Sequence, residues 1–403
     1  MAKQDAGHEA AQEGRVAAMT PAARVAAAIG VLDDCFSGMP IEKALLRWSR
    51  GSRYAGSKDR AAVRDLVFGG WRRRRSAAHE GGAETGRGIM IGMLRQTETE
   101  LDHIFTGQDH APAPLSPDEA ASPATRPGPA VRQDLPDWLW DRFEADIGEE
   151  AEAAAQALRD RAPVYLRVNP RRGDAHRALR SLASDGIEAV AHDEVEGALR
   201  VVSGERAITR GRAFAEGLIE LQDASSQAAM LRLPLRDGQT VLDMCAGGGG
   251  KALALAGRAD VAVTAHDISA ARMRDIPDRA ARAGVRIKVA EKLGSMTCDH
   301  VLVDAPCSGS GTWRRDPGGK WQLTPSGLAD FAALQARLLD AATRHVAPGG
   351  SLSYATCSVL REENDANVAA FLSRHSGWIL RDRMQRLPGQ DGDGFFLARF
   401  ERG

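Results

Sequence analysis

Cys307 and Cys357 stand just beyond two apolar runs. Asp304-Ala305-Pro306-Cys307-Ser308-Gly309 closes residues 300–304, and Thr356-Cys357-Ser358 closes residues 351–355. Such runs read as buried strands, and in an open α/β sheet ligands bind in the crevice beyond the carboxyl ends of the strands. Two thiols there fit a reaction that needs a nucleophile and a second sulfur. C5 of cytosine is a poor nucleophile. A thiolate adding to C6 makes C5 enamine-like and able to attack a methyl sulfonium, after which a base removes the C5 proton and the thiol is eliminated. A carboxyl group near N3 would assist the addition, and Asp304 stands three residues before Cys307. A free thiol has a pKa of about 8.5, so the attacking cysteine also needs activation by its surroundings. These residues alone do not choose between the two sulfurs.

A second cluster is Asp243-Met244-Cys245-Ala246-Gly247-Gly248-Gly249-Gly250-Lys251. Its glycines let the backbone approach a ligand and aim amides at it. A Walker loop would need Gly at position 245 and Ser or Thr at 252, where Cys245 and Ala252 stand, so ATP is not expected here. Gly247, Gly249 and Ala252 satisfy G-x-G-x-x-A, and Asp267 closes the next apolar run, where an acid grips ribose hydroxyls. The pattern fits an adenosine-bearing cofactor, NAD or S-adenosylmethionine. Hydride transfer has no use for two strand-end thiols, whereas pyrimidine methylation does.

The elements that must position these residues are legible as a repeat of short apolar runs and helical stretches. Residues 240–244, 261–267, 285–290, 300–304 and 351–355 alternate with helical patterns, which implies βαβ units and a parallel, doubly wound sheet. Residues 378–380 and 395–400 suggest an antiparallel edge pair. Upstream, residues 21–105 carry helical periodicity, and residues 106–133 form a proline-rich linker that resists regular structure. Residues 134–232 open with a helical segment and continue as a mixed α+β subdomain, while residues 1–20 read as a loose polar tail.

The 403 residues suggest two to three domains. No apolar run is long enough to cross a bilayer, and the five cysteines include no C-x-x-C pair, which argues against a disulfide framework or a bound metal. A reducing, cytoplasmic setting is expected. A net charge of −1 announces no nucleic-acid partner, but Arg72-Arg73-Arg74-Arg75 and Arg314-Arg315 with Lys320 are concentrated basic patches. The second, beside the first cysteine motif, is expected to meet phosphates.

The chain resembles the Sun-type RNA cytosine-C5 methyltransferases, and among them the bacterial small-subunit ribosomal RNA methyltransferase B branch. The likeness runs from Pro21 onward. It is carried by residues 304–309, Arg314-Arg315-Asp316-Pro317 with Lys320-Trp321, residues 354–358 with Glu362-Glu363-Asn364, and Asp393-Gly394-Phe395-Phe396. Gln222-Asp223-Ala224-Ser225-Ser226-Gln227 and Leu166-Arg167-Val168-Asn169 add to it. The resemblance implies a Rossmann-like methyltransferase domain over residues 233–403, an α+β RNA-binding subdomain over 134–232 and a NusB-like helical RNA-binding domain over 21–105. It further implies S-adenosylmethionine as methyl donor, with Cys357 attacking C6 and Cys307 assisting release. That order is the reverse of the DNA cytosine enzymes, where the Pro-Cys motif supplies the nucleophile.

By the same resemblance Asp304 would meet the target base and the methionine end of the cofactor. Asp267 would meet the ribose, and Lys251 the cofactor carboxylate or a neighbouring acid. Cys245, Ala246, Gly247, Gly248, Gly249 and Gly250 would line the cofactor, with Glu291 the acid nearest the adenine. The implied partner is RNA, 16S ribosomal RNA in particular, with neither DNA nor membrane, and a monomeric protein. The chain departs from the family in having Gly248 for proline and Ala252 for threonine. The alternatives are a transfer RNA substrate, or a non-catalytic RNA-binding assembly or antitermination factor.

Overall fold

The computed structural model describes residues 18–121, 123 and 125–402. Most of the tail expected over residues 1–20 lies outside the described residues. The chain divides into two compact units, one ending at Trp140 and one beginning at Asp141.

In the first unit, helices span Pro21–Phe36, Ile41–Gly51, Ser57–Arg72, Arg74–Gly81 and Gly86–Gln96. The first starts where expected: Thr20 Oγ1 accepts from the Ala23 amide at 3.1 Å, and Pro21 brings a φ already suited to a first helical turn. Val25, Leu32, Val63, Val67, Ile89 and Met90 recur at helical spacing and are buried together as its core. Arg72 lies over the Phe68 ring, Arg74 pairs with Glu84 at 2.6 Å, and Arg75 bonds to Asp137 at 2.8 Å. Much of this basic run is therefore committed within its own unit.

The proline-rich stretch is more ordered than expected. Pro117–Ala120 and Pro129–Arg132 each form one helical turn. At the first, Ser116 Oγ accepts from the Glu119 amide at 3.2 Å while Glu119 Oε2 accepts from the Ser116 amide at 2.9 Å. This reciprocal cap, with proline at the first helical position, offsets the donors that the other prolines remove.

The second unit holds two sheets. Strands β1 (Tyr165–Val168), β2 (Glu188–Ala191), β3 (Ala198–Ser203) and β4 (Ile219–Leu221) pair antiparallel in the order β2-β3-β1-β4. The helix Ala175–Ser184 buries Ala178 and Leu182 with Leu166, Leu199 and Ile219 of that sheet. This is the expected α+β lobe.

The larger sheet contains β5 (Thr240–Asp243), β6 (Ala262–Ala265), β7 (Ile287–Val289), β8 (Cys298–Asp304), β9 (Val346–Thr356), β10 (Trp378–Arg386) and β11 (Phe395–Arg402). Their order is β10-β11-β9-β8-β5-β6-β7, parallel from β9 to β7, with β10 and β11 as an antiparallel edge. The doubly wound sheet and its edge hairpin are as expected. Val241, Leu242, Val301, Val303, Leu352 and Tyr354 are fully buried between flanking layers, which is why these strands read as continuous apolar runs. The chain builds outward from β5 to β7 and then returns to β8, so a topological switch lies between β5 and β8. The glycine turn and both cysteine loops leave the carboxyl ends of β5, β8 and β9.

Candidate active site

The two cysteines, fifty residues apart in sequence, meet at these strand ends with 3.2 Å between their sulfurs. β8 and β9 are paired neighbours, with Asp304 opposite Ala355, so the loops that follow them emerge side by side. Thr312 places its hydroxyl 3.9 Å from the Cys357 sulfur. The Gly311 amide donates to the Cys357 carbonyl at 2.9 Å, and the Gly311 carbonyl accepts from the Gly394 amide at 2.9 Å. A Cβ on Gly311 would stand 2.5 Å from the Gly394 oxygen, so only glycine permits this approach.

One buried carboxylate fixes both loops. Glu363, wholly buried, accepts from the Ser308 amide at 2.8 Å, the Ser308 hydroxyl at 2.5 Å, the Ser358 hydroxyl at 2.5 Å and the Gln335 amide group at 2.9 Å. Tyr354 adds a hydroxyl bond to the Glu363 carbonyl at 2.5 Å. A carboxylate that satisfies this many donors is a rigid tie between Cys307's neighbour and Cys357's neighbour. Trp313, fully buried and stacked on Phe143 at 6.0 Å, donates its ring N–H to the Ser308 carbonyl at 3.0 Å. It supports the loop from within and is not available to stack on a base.

The surroundings of the two sulfurs differ. Cys307 is pushed well above the ordinary thiol value, first by its bond with Cys357, then by burial and by the Cys357 and Glu363 charges. The Cys307 bond lowers Cys357, with Lys251 and the Thr312 hydroxyl acting in the same direction, against burial and Asp304. Burial and a carboxylate oppose the thiolate at both sulfurs, and at Cys357 the bond with Cys307, the Lys251 cation and the Thr312 hydroxyl outweigh them.

The cofactor turn connects β5 to the helix Gly250–Arg258. Gly247 and Gly249 have φ of +52° and +78°, the left-handed region that glycine adopts without strain. Asp267, 4 % exposed, accepts from the Gly247 amide at 2.9 Å and the Ser269 amide at 2.9 Å, and Arg272 pairs with it at 3.2 Å. Lys251 Nζ lies 2.6 Å from Asp304 Oδ2, so it reaches the neighbouring acid that sequence offered as one of two partners. Burial pulls the Lys251 ammonium down, but Asp304 and Asp243 more than offset it and leave the group above its ordinary value. Cys245 is driven up to about 12 by burial and by the Asp243 and Asp304 charges, which makes it an inert neighbour. Glu291 lies exposed at a bend just past β7.

Sequence reasoning passed over Asp243. It is fully buried at the end of β5, neither carboxylate oxygen has a side-chain hydrogen-bond partner among the described residues, and burial followed by the Asp304 charge raises it to about 7 against the Lys251 cation and the Ala252 and Cys245 amides. Its position, eight residues before Lys251, was the available signal. The expectation for Arg314-Arg315 and Lys320 is corrected. Arg314 is buried and pairs with Asp393 at 2.6 Å, Arg315 bridges Asp393 and Asp223, and Lys320 is wholly buried. The two arginines brace the segments of Asp223 and Asp393 instead of facing phosphates, and Lys320 lies over the Trp321 ring.

The turn suits a nucleoside cofactor on the structure's own terms. It has two left-handed glycines, a helix beginning at Gly250, and a buried acid at the end of the adjoining parallel strand. With two thiols at the next strand ends, fold and site define a methyltransferase of the S-adenosylmethionine-binding, Rossmann-like class. The family described as 16S rRNA methyltransferase RsmB/F matches residues 230–401, and the ferredoxin-like domain of RsmF/B-like methyltransferases matches residues 135–207. The chain belongs to the RsmB/F methyltransferase family.

Among its relatives, ribosomal RNA small subunit methyltransferase B of Enterobacter sp. (strain 638) is 37% identical over 283 residues, covering 66% of this chain and 65% of that protein, just under two thirds of its length. The protein of the same name from Cronobacter sakazakii (strain ATCC BAA-894) is 33% identical over 333 residues, covering 78% of this chain and 72% of that one. A solved methyltransferase homolog from Pyrococcus horikoshii is 25% identical with a TM-score of 0.60, over 68% of this chain and 97% of that one. NSun6 from the same organism, solved with SFG, shares the fold at 19% identity and a TM-score of 0.59, over 66% and 98%.

Proposed function

We propose that this protein transfers a methyl group from S-adenosylmethionine to C5 of a cytosine in 16S ribosomal RNA, with Cys357 as nucleophile and Cys307 assisting release. The observation that carries the reading is the pair of sulfurs 3.2 Å apart in unlike surroundings. Cys357, stabilised as thiolate by the Cys307 donor, Lys251 and Thr312, adds to C6 of the base. Asp304, at the β8 end and held by Lys251, would hydrogen-bond the base as the C6–S bond forms. The bound cofactor supplies an electrophilic methyl sulfonium to the enamine carbon. Elimination then removes the C5 proton to a base and returns the C6–S electron pair to Cys357, with Cys307, its sulfur 3.2 Å away, assisting release.

Residues 245–251 would hold the cofactor, Asp267 its ribose, and Glu291 the adenine edge. The choice of 16S ribosomal RNA is supported by the family and by the names of the relatives. The small antiparallel lobe and the helical NusB-like unit are assigned to RNA contact, with the RNA base everted into the pocket. Among the described residues no helix is long and apolar enough to cross a membrane; the proposed ribosomal substrate supports a cytoplasmic setting. Bisulfite sequencing of 16S ribosomal RNA from cells with and without the gene tests the function. One cytosine should lose protection in the deletion, and an unchanged pattern would refute the assignment.

A further inference from the structure

Three arginines converge on the backbone of the cofactor turn. Arg167, on β1 of the small lobe, donates to the Gly250 carbonyl at 2.9 Å and also to the Gln222 side chain. Arg279, on the helix Ile276–Ala283, donates to the Gly248 carbonyl and pairs with Glu220 of β4 at 3.3 Å. Arg272, paired with Asp267, sits where a side chain at 247 would stand, its Nη2 3.0 Å from a Cβ built on Gly247. Glu220 takes a second arginine, Arg282, at 2.9 Å, and its side chain is only 9% exposed. Asn169 of the small lobe bonds to the Ala283 carbonyl at 2.7 Å, tying the end of Arg279's helix to the same lobe.

A run of four glycines has the largest backbone freedom a turn can have, and ordering it on binding costs affinity unless something orders it beforehand. Guanidinium-to-carbonyl bonds are charge-assisted and directional. Holding the Gly248 and Gly250 carbonyls also sets the peptide planes that carry the Gly249 and Lys251 amides. Burial draws Arg167 down to about 10, with Glu220 opposing, so this is a deeply placed cation serving a backbone carbonyl.

We propose that Arg167, held by Gln222, and Arg279, braced on Glu220, are positioning residues that preorganise the glycine turn, so that the small α+β lobe sets the affinity for the methyl donor. This rests on the reading of the turn as the methyl-donor site. Position 248 supplies an internal control. Gly248 is not at positive φ, its amide makes no hydrogen bond among the described residues, and a Cβ there would lie 3.0 Å from Arg279 Nη1. A proline at 248 would restrict the same segment of backbone that Arg279 restrains, but only once Arg279 is gone.

The test is calorimetric titration of the full chain, free of RNA, with S-adenosylmethionine and S-adenosylhomocysteine. Arg279→Ala should weaken both roughly tenfold, the loss expected for one charge-assisted bond, and raise KM for the cofactor while kcat at saturation stays within about twofold. Adding Gly248→Pro to Arg279→Ala should recover most of the affinity, and Arg167→Met should weaken binding from the other side of the turn. Unchanged affinity in both arginine variants, or no recovery in the double variant, would overturn the clamp. Failure of the unaltered protein to bind either ligand would instead overturn the assignment of the turn, and the clamp with it.

Discussion

Two buried carboxylates at the strand ends of the large sheet behave as opposites. Glu363 accepts from two serine hydroxyls, an amide and a glutamine, and ties the two cysteine loops together. Asp243, equally buried, has no side-chain donor on either oxygen among the described residues and is raised to about 7. A well-satisfied carboxylate specifies one geometry, whereas a buried one with few donors raises the energy of its ionised form. The thiol side is therefore fixed by its own loops. The cofactor side is held from outside by arginines, with a carboxylate at its base whose charge is poorly accommodated.

The sharpest way to break the thiol half of this comparison is Cys357→Ala. It should lower methyl transfer by roughly 10³-fold or more, as removal of a nucleophile does, measured with tritiated cofactor on unmodified 16S ribosomal RNA. Next is Glu363→Ala, which strands the Ser308, Ser358 and Gln335 donors. It should cost about 3–5 kcal/mol of stability, read by urea unfolding. A loss under 1 kcal/mol would mean that the loops do not depend on their shared carboxylate.

The cofactor half is sharpened by pH. Asp243 binds its proton more tightly in the folded chain than in the unfolded one, where an aspartate titrates near ~3.9. Its contribution to stability is complete below that value and is lost as pH rises toward about 7. In Asp243→Asn that loss should vanish. The difference in unfolding free energy between variant and parent should therefore change across this window and be flat above it. A difference independent of pH would show that Asp243 is not the titrating group.

What sequence made legible was local. The apolar runs of β5, β8 and β9 marked the strands, and the residues just past them marked the turn and the thiols. The reciprocal cap of Ser116 and Glu119 was also readable and was hidden only by the prolines around it. The rest depended on partners far along the chain. Arg314 and Arg315 looked like a phosphate patch because Asp393 and Asp223, which neutralise them, lie about eighty and ninety residues away. Glu363 carried no sign of its role, because its donors come from three separate segments. Arg167 reaches the glycine turn from the small lobe and Arg279 from a helix about thirty residues further on, so no spacing rule could connect them. The chemistry named two cysteines, and their inequality emerged first from the bond between them and then from Lys251 and Thr312 beside Cys357 and Glu363 beside Cys307.

Trapping decides that inequality most directly. Cys307→Ala, incubated with S-adenosylmethionine and unmodified 16S ribosomal RNA, should accumulate a covalent protein–RNA adduct that resists denaturing electrophoresis, because attack proceeds and release does not. The Cys357→Ala variant should form none. An adduct with Cys357→Ala and none with Cys307→Ala would reverse the two roles and contradict the assignment of Cys357 as nucleophile.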